Sequence, residues 1–208
     1  MHQLPAVVPE IRRAGAQERD AISLLLGEAF MEDPVSRWVF PDEEHRRAVH
    51  PEFFGVSLDA ALREGWVDVA DDLSAAALWV PIEANGAAGA GEGHGDGGIV
   101  EALAAADAGN ERVRTVAELT DRAHPVERSH FYLPAIVAAP GRRGEGRGSA
   151  LLTPVLDRCD REGVPAYLEA SNERSKALYE RLGFVFTGTA IVLPGGPPMW
   201  PMWREPRS

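Results

Sequence analysis

The stretch Ile136-Val-Ala-Ala-Pro-Gly-Arg-Arg-Gly-Glu-Gly-Arg-Gly-Ser-Ala-Leu-Leu152 constrains this chain more than any other segment. An apolar run stops at Pro140, passes through a basic, glycine-rich turn, and resumes with apolar residues at helical spacing. It reads as strand, turn and helix. Gly144, Gly146 and Gly148 allow backbone angles closed to other residues and close approach by a ligand. The first N–H groups of a helix have no intrahelical partner, and the helix dipole adds partial positive charge there, so the turn suits a phosphate. Arg142, Arg143 and Arg147 bring full charges to the same place.

Spacing separates the loops that could read this way. A P-loop requires Gly, four residues, Gly, then Lys and Ser or Thr. Gly141 and Gly146 have that separation, but Arg147-Gly148 follows them. A dinucleotide fingerprint requires G-x-G-x-x-G and an acidic residue roughly twenty positions on. Here the run is G-x-G-x-G, with Val164, Pro165 and Ala166 near that distance. A glycine turn that holds no ligand also stays open, since glycines serve turns generally.

A third ligand class enters through a resemblance. Arg143-Gly-Glu-Gly-Arg-Gly148, with Pro140 upstream, is similar to the R/Q-x-x-G-x-G/A coenzyme A loop of the GNAT acetyltransferase superfamily. Asn172-Glu-Arg-Ser-Lys-Ala-Leu-Tyr-Glu-Arg-Leu-Gly-Phe184 resembles that family's second signature, an Asn seven positions before a Tyr and then Leu-Gly-Phe. Over residues 125–204 the resemblance is strongest to the puromycin N-acetyltransferase branch. Val164-Pro-Ala-Tyr-Leu-Glu169, Tyr179-Glu-Arg-Leu-Gly-Phe184 and the C-terminal Pro-x-Trp-x-Met-x-Arg pattern carry it. Ala29-Phe-Met-Glu-Asp-Pro34 and Ala77-Leu-Trp-Val-Pro81 extend it more loosely.

The resemblance implies one α/β domain over 1–208, with a mixed, mostly antiparallel sheet of six to seven strands, flanked by helices and splayed at its centre. Residues 6–83 would carry the acceptor side and 129–204 the acetyl-CoA-binding core. Acetyl-CoA would be the co-substrate, with no metal, and a small-molecule amine the acceptor, by direct attack in a ternary complex. Tyr179 would be the general acid for the departing thiolate. Ile136, Val137 and Ala138 would offer backbone to the pantetheine arm, and Arg142, Arg143, Gly144, Glu145, Gly146, Arg147, Gly148 and Ser149 would hold the pyrophosphate. Asn172 would support coenzyme binding, although helix capping explains it equally well. For the base, Glu169 and His130 lead, with Glu52 and Glu83 behind them. Arg174 and Lys176 could reach the coenzyme phosphates, but are expected on a solvated face. A non-catalytic acyl-CoA-binding domain is the competing reading.

The pattern of apolar residues suits this order of elements. An edge strand at Val7–Arg13 precedes an amphipathic helix at Ala16–Phe30, which Asp33-Pro34 should end. Val35–Phe40 reads as an apolar connection, Asp42–Arg63 as a helix interrupted at Pro51, and Gly65–Ala70 with Leu73–Val80 as a hairpin. Residues 84–98 are Ala/Gly-rich and read as a mobile loop, with His94 a solvated spacer. Helices at Ile99–Ala106 and Glu111–Ala123 lead to a strand at His130–Ala138, in which Pro134 must interrupt pairing. A helix at 146–162 with Pro154 inside it, strands at Ala166–Ala170, Phe184–Thr189 and Met199–Trp203, and a helix after Asn172 complete the chain.

Charge and composition close off other classes. The 208 residues carry a net charge of −11, which argues against a nucleic-acid or anionic-membrane binder. Cys159 is the single cysteine, so no internal disulfide forms, and its apolar helical neighbours make it a core residue. The first ten residues show no secretory signal, and no run reaches transmembrane length, so a cytoplasmic protein is expected. The exposed aromatic C-terminal strand could join a homodimer.

Overall fold

In the computed structural model, which describes residues 9–84 and 97–207, eight strands form the backbone of the fold. A short strand β1 (Ile11–Arg13) and a single 3-10 turn lead into α1 (Arg19–Ala29), followed by α2 (Pro34–Val39) and α3 (Glu43–Glu64). Strands β2 (Trp66–Ala70) and β3 (Ala75–Ile82) make the expected hairpin, and α4 (Gly97–Ala106) and α5 (Glu111–Ala123) precede β4 (His130–Ala138). Then come α6 (Arg147–Glu162), β5 (Ala166–Ala170), α7 (Glu173–Arg181), β6 (Val185–Phe186), β7 (Ile191–Val192) and β8 (Pro198–Arg204). The strand order is β1-β2-β3-β4-β5-β8-β6, with β7 also on β8. Every pairing is antiparallel except β4 with β5.

The sheet buries apolar residues on both faces. Leu151, Leu152, Val155, Leu156 and Cys159 of α6 cover one face, packing on Trp79, Phe131, Leu168 and Met202. Full burial of each large aliphatic chain contributes about 1.5–3 kcal/mol. Ile22 and Leu26 of α1 and Leu58 of α3 cover the other face, against Val67, Val69, Leu78 and Val137. Along β4, Phe131 and Leu133 face α6 whereas Ala135 and Val137 face α1. Residues two apart should share a face, so the chain slips once between 133 and 135. The register confirms it, moving from Leu78↔Ala135 to Val80↔Tyr132. The extra residue lies at Leu133-Pro134, where the proline withholds a ladder donor. On its other edge β4 pairs with β5 at Phe131↔Ala166 and Tyr132↔Tyr167, and beyond these the ladder ends, as splayed central strands require.

Several expectations change. Asp33-Pro34 ends no helix; it starts one, because Asp33 caps α2 and the proline occupies its first position, where no donor is lost. Val35–Phe40 is therefore mostly helical. Helix α3 runs through Pro51 without a break. The Phe184–Thr189 strand shrinks to β6, and the unforeseen β7 appears, so the sheet has eight strands where six or seven were expected. Strand β8 is flanked by β5 and by β6 and β7, so its backbone is paired on both sides. Val7, Val8 and the 85–96 part of the Ala/Gly-rich segment, with His94, lie outside the described residues. Among the described residues no helix is long and apolar enough to cross a membrane.

Candidate active site

The end of β4, the glycine turn and the first turn of α6 make one wall of a groove of about 510 Å³. Gly141, Gly144 and Gly146 have φ of +84°, +89° and +80°, a region side chains disfavour. Gly146 caps α6 in the left-handed conformation without a side-chain hydrogen bond, so the first amides of that helix point to the groove with no side-chain acceptor. A Cβ at Gly148 would stand 3.1 Å from the Leu178 side chain, which is why the helix can approach α7 so closely. Ile136, Val137, Ala138, Arg142, Arg143, Gly144, Gly146, Arg147, Gly148, Ser149, Asn172 and Tyr179 all line the groove.

The arginines divide their work. Arg147 is buried, and its guanidinium donates to Glu145, Asp72 and Ser74, so it ties the turn to the β2–β3 hairpin. Glu145 is held between Arg147 and Arg142, its side chain turned to them. Arg143 donates to the Ala29 carbonyl at the end of α1. Arg174, expected on a solvated face, instead lines the groove beside Gly144, because the first turn of α7 abuts the glycine turn. Lys176 pairs with Glu180 and lies over Trp200, away from it.

The opposite wall comes from the α1–α2 junction, and one carboxylate fastens it. One Asp33 oxygen accepts from the Val35 and Ser36 amides at 2.9 and 3.3 Å, capping α2. The other accepts from Ser171 Oγ at 2.6 Å and Asn172 Nδ2 at 3.1 Å. Asn172 in turn caps α7, accepting from the Ser175 amide at 2.9 Å. Asp33 is 8% exposed, and burial raises its carboxyl above the ordinary value against the opposing effect of these donors. Tyr179 is buried among core residues at 6% exposure yet reaches the groove. Burial first, and then the Asp33 charge, push its hydroxyl pKa upward, so it stays protonated.

Glu169 and His130 do not line this groove. The sheet alternation sends Ala166, Leu168 and Ala170 to the α6 face, which puts Tyr167 and Glu169 on the other. Glu169, with a side chain 4% exposed, accepts from the Tyr132 hydroxyl at 3.0 Å and lies 3.9 Å from His124 Nδ1. It stands two residues past the last β4–β5 pair, where the strands part. His130, at the start of β4, meets the Arg128 carbonyl and His124. Glu83 accepts from Ser129, and Glu52 is exposed on α3. Among the described residues, no group of three or more His, Cys, Asp or Glu is arranged for a metal.

Sequence reasoning missed Asp33 and His124, and ranked the phosphate reading of Arg174 below the solvated one. The Asp-Pro dipeptide was the available signal for Asp33, since it starts helices as readily as it stops them. His124 gives none, because only the fold brings the end of α5 against β4 and β5.

Residues 93–184 match the Acetyltransferase (GNAT) family. An uncharacterized N-acetyltransferase of Schizosaccharomyces pombe is 31% identical over 80 residues, which is 38% of this chain and 32% of that relative. The matched region thus spans about a third of the curated relative. Among solved structures, one described as histone acetyltransferase HPA2 and related acetyltransferase, from Corynebacterium glutamicum, is 27% identical with a TM-score of 0.70, covering 97% of this chain and 98% of that one. Arylalkylamine N-acetyltransferase 2 of Aedes aegypti shares the fold at 13% identity and a TM-score of 0.65, covering 95% and 99%.

Proposed function

We propose that this chain, which carries the GNAT acetyltransferase family pattern on the GNAT fold, is one N-acetyltransferase domain moving an acetyl group from acetyl-CoA to the primary amine of a small molecule. The carrying observation is the convergence, in one groove, of unpaired helix amides, positive-φ glycines, the end of a bulged β4 and a buried protonated tyrosine. Amides of Gly146 to Ser149 with Arg142 and Arg174 fit the pyrophosphate. The backbone of Ile136 to Ala138, freed where β4 leaves β5, fits the pantetheine arm and offers an N–H to the thioester oxygen.

Holding both reactants there lets the amine attack without a further association step. The departing thiolate takes its proton from Tyr179, whose raised pKa keeps that proton available until negative charge develops beside it. Neither candidate base lines the groove; this reading retains Glu169 because it stands two residues past the last β4–β5 pair, where those strands part. The puromycin N-acetyltransferase-like branch rests on Val164–Glu169, Tyr179–Phe184 and the C-terminal motif, the last of which forms β8. Buried, unpaired Cys159 is compatible with a reducing cytoplasm.

Thiol release in the presence of acetyl-CoA and a panel of primary amines tests the proposal. Turnover with at least one amine, and thermal stabilisation by acetyl-CoA but not by ATP or NAD, is expected. At 100 times its dissociation constant the ligand should add about 2.7 kcal/mol. Binding without turnover across the panel would favour the non-catalytic reading, and stabilisation by ATP or NAD alone would sink both.

A further inference from the structure

The chain leaving α1 turns too tightly to supply donors for that helix's last carbonyls. The Met31 amide donates to Glu28 rather than to Gly27, and the Asp33 amide to Phe30 rather than to Ala29. Side chains take over the neglected oxygens. His50 Nδ1 donates to the Gly27 carbonyl at 2.9 Å, Arg46 Nε to that of Met31 at 3.1 Å, and Arg143 Nη2 to that of Ala29. A cation there also meets the negative end of the helix dipole. His50 and Arg46 belong to α3 and hold α1 within its own half of the molecule. Of the three, Arg143 alone comes from the glycine turn, and its bond joins the two walls of the groove. Arg147 braces the same turn on its other side, through Asp72 and Ser74 of the β2–β3 hairpin.

We propose that Arg143 is a positioning residue for the acceptor amine: it holds the 29–34 wall against the coenzyme loop and leaves the pyrophosphate to the amides of Gly146 to Ser149. This role rests on the acetyl-transfer reading above and replaces the phosphate contact that the loop motif suggests. Ala29, Phe30, Glu32, Asp33 and Pro34 are the groove residues that belong neither to β4, the glycine turn and α6, nor to α7 with its cap. With the pyrophosphate on the turn and the pantetheine arm along β4, they form the wall left for the amine. Phe30, next to Ala29, stacks on Phe54 of α3 with ring centroids 4.5 Å apart, so a shift of the Ala29 carbonyl displaces an aromatic ring of the groove. Asp33 fixes the far end of this wall through Ser171 and Asn172. The wall is thus fastened to the coenzyme half by side chains at both ends, and the amine's approach to the thioester depends on both.

Arg143→Ala and Arg143→Gln test it, the glutamine keeping a neutral N–H donor while losing the charge a phosphate would need. In steady-state kinetics Arg143→Ala should raise KM for the amine about tenfold, the scale of one charge-assisted hydrogen bond, with kcat little changed. Acetyl-CoA affinity by calorimetry should stay close to wild type, and Arg143→Gln should recover part of the amine KM. An acetyl-CoA affinity that falls as far as the amine KM rises, or an amine KM close to wild type, would overturn the role. Hydrogen exchange reads the same bond without turnover. The amides of Phe30, Met31 and Asp33 should exchange faster in Arg143→Ala than in wild type, and acetyl-CoA should not speed them in wild type. Faster exchange on adding acetyl-CoA would show Arg143 leaving Ala29 for the phosphates and would equally overturn it. Absence of wild-type turnover with every amine would defeat the acetyl-transfer reading, and the exchange of these amides would still decide whether Arg143 holds the wall.

Discussion

Replacing Asp33 asks whether one carboxylate joins the two walls of the groove. In Asp33→Ala the Val35 and Ser36 amides lose their cap, a cost of about 1 kcal/mol. Ser171 and Asn172 lose an ionised acceptor, and hydrogen bonds to charged groups contribute about 1.5–3 kcal/mol each. Relief of the buried charge offsets part of this. The net loss is about 2–4 kcal/mol, which at this chain length lowers Tm by roughly 5–15 °C. Asp33→Asn retains a capping oxygen and should lose about half as much. The linkage gives a further signature. The folded carboxyl sits above its ordinary 3.8, so its contribution is fully present below that value and is lost as pH rises through the raised one. The stability difference between wild type and Asp33→Asn, measured by calorimetry, should therefore shrink with rising pH from about 4. Equal melting of the Ala and Asn variants, or a fall in Asp33→Ala of under about 2 °C, would refute the clamp.

Other consequences can be read from single residues. Tyr179→Phe should lower kcat by about 10²–10⁴-fold in steady-state assays while calorimetric acetyl-CoA affinity stays close to wild type. Gly146→Ala forces a side chain into a position with φ of +80°, so it should cost about 1–2 kcal/mol and weaken acetyl-CoA binding in titration. The bidentate Arg204 lowers the Asp160 carboxyl from 3.8 to about 2; the stability it gives is present above 3.8 and lost as pH falls through 2, so Asp160→Asn should flatten that acid limb in denaturation curves. Burial pushes the Cys159 thiol up to about 11, so a thiol reagent should label it only on unfolding.

The C-terminal half was legible because its signals are local. Glycines at Gly141, Gly144 and Gly146 announce positive φ, Asn172 announces a cap, and Pro134 announces a break in pairing, each by a constraint within a few residues. The bulge at Leu133-Pro134 and the bounds of β4 and β5 follow from such constraints. What stayed hidden depends on distant packing. Asp33 reads as a helix stop until Ser171 and Asn172 come up against it from 138 and 139 positions away. Arg147 looks like one more phosphate ligand until Asp72, from the hairpin, claims it. Strands β6 and β7, which flank β8, leave little trace in the sequence because they are only two residues long each.

The central claim is direct transfer of an acetyl group to an amine nitrogen. Mixing the protein with acetyl-CoA labelled in its acetyl group, first alone and then with an accepted amine, and following both protein and small molecule by mass spectrometry, tests it most directly. Cys159 is buried on the sheet-facing side of α6 and does not line the groove, so the protein should keep its mass in the first step, and the label should appear as an amide on the amine in the second. A labelled protein that forms with acetyl-CoA alone and discharges on adding the amine, or the absence of any labelled amide, would contradict it.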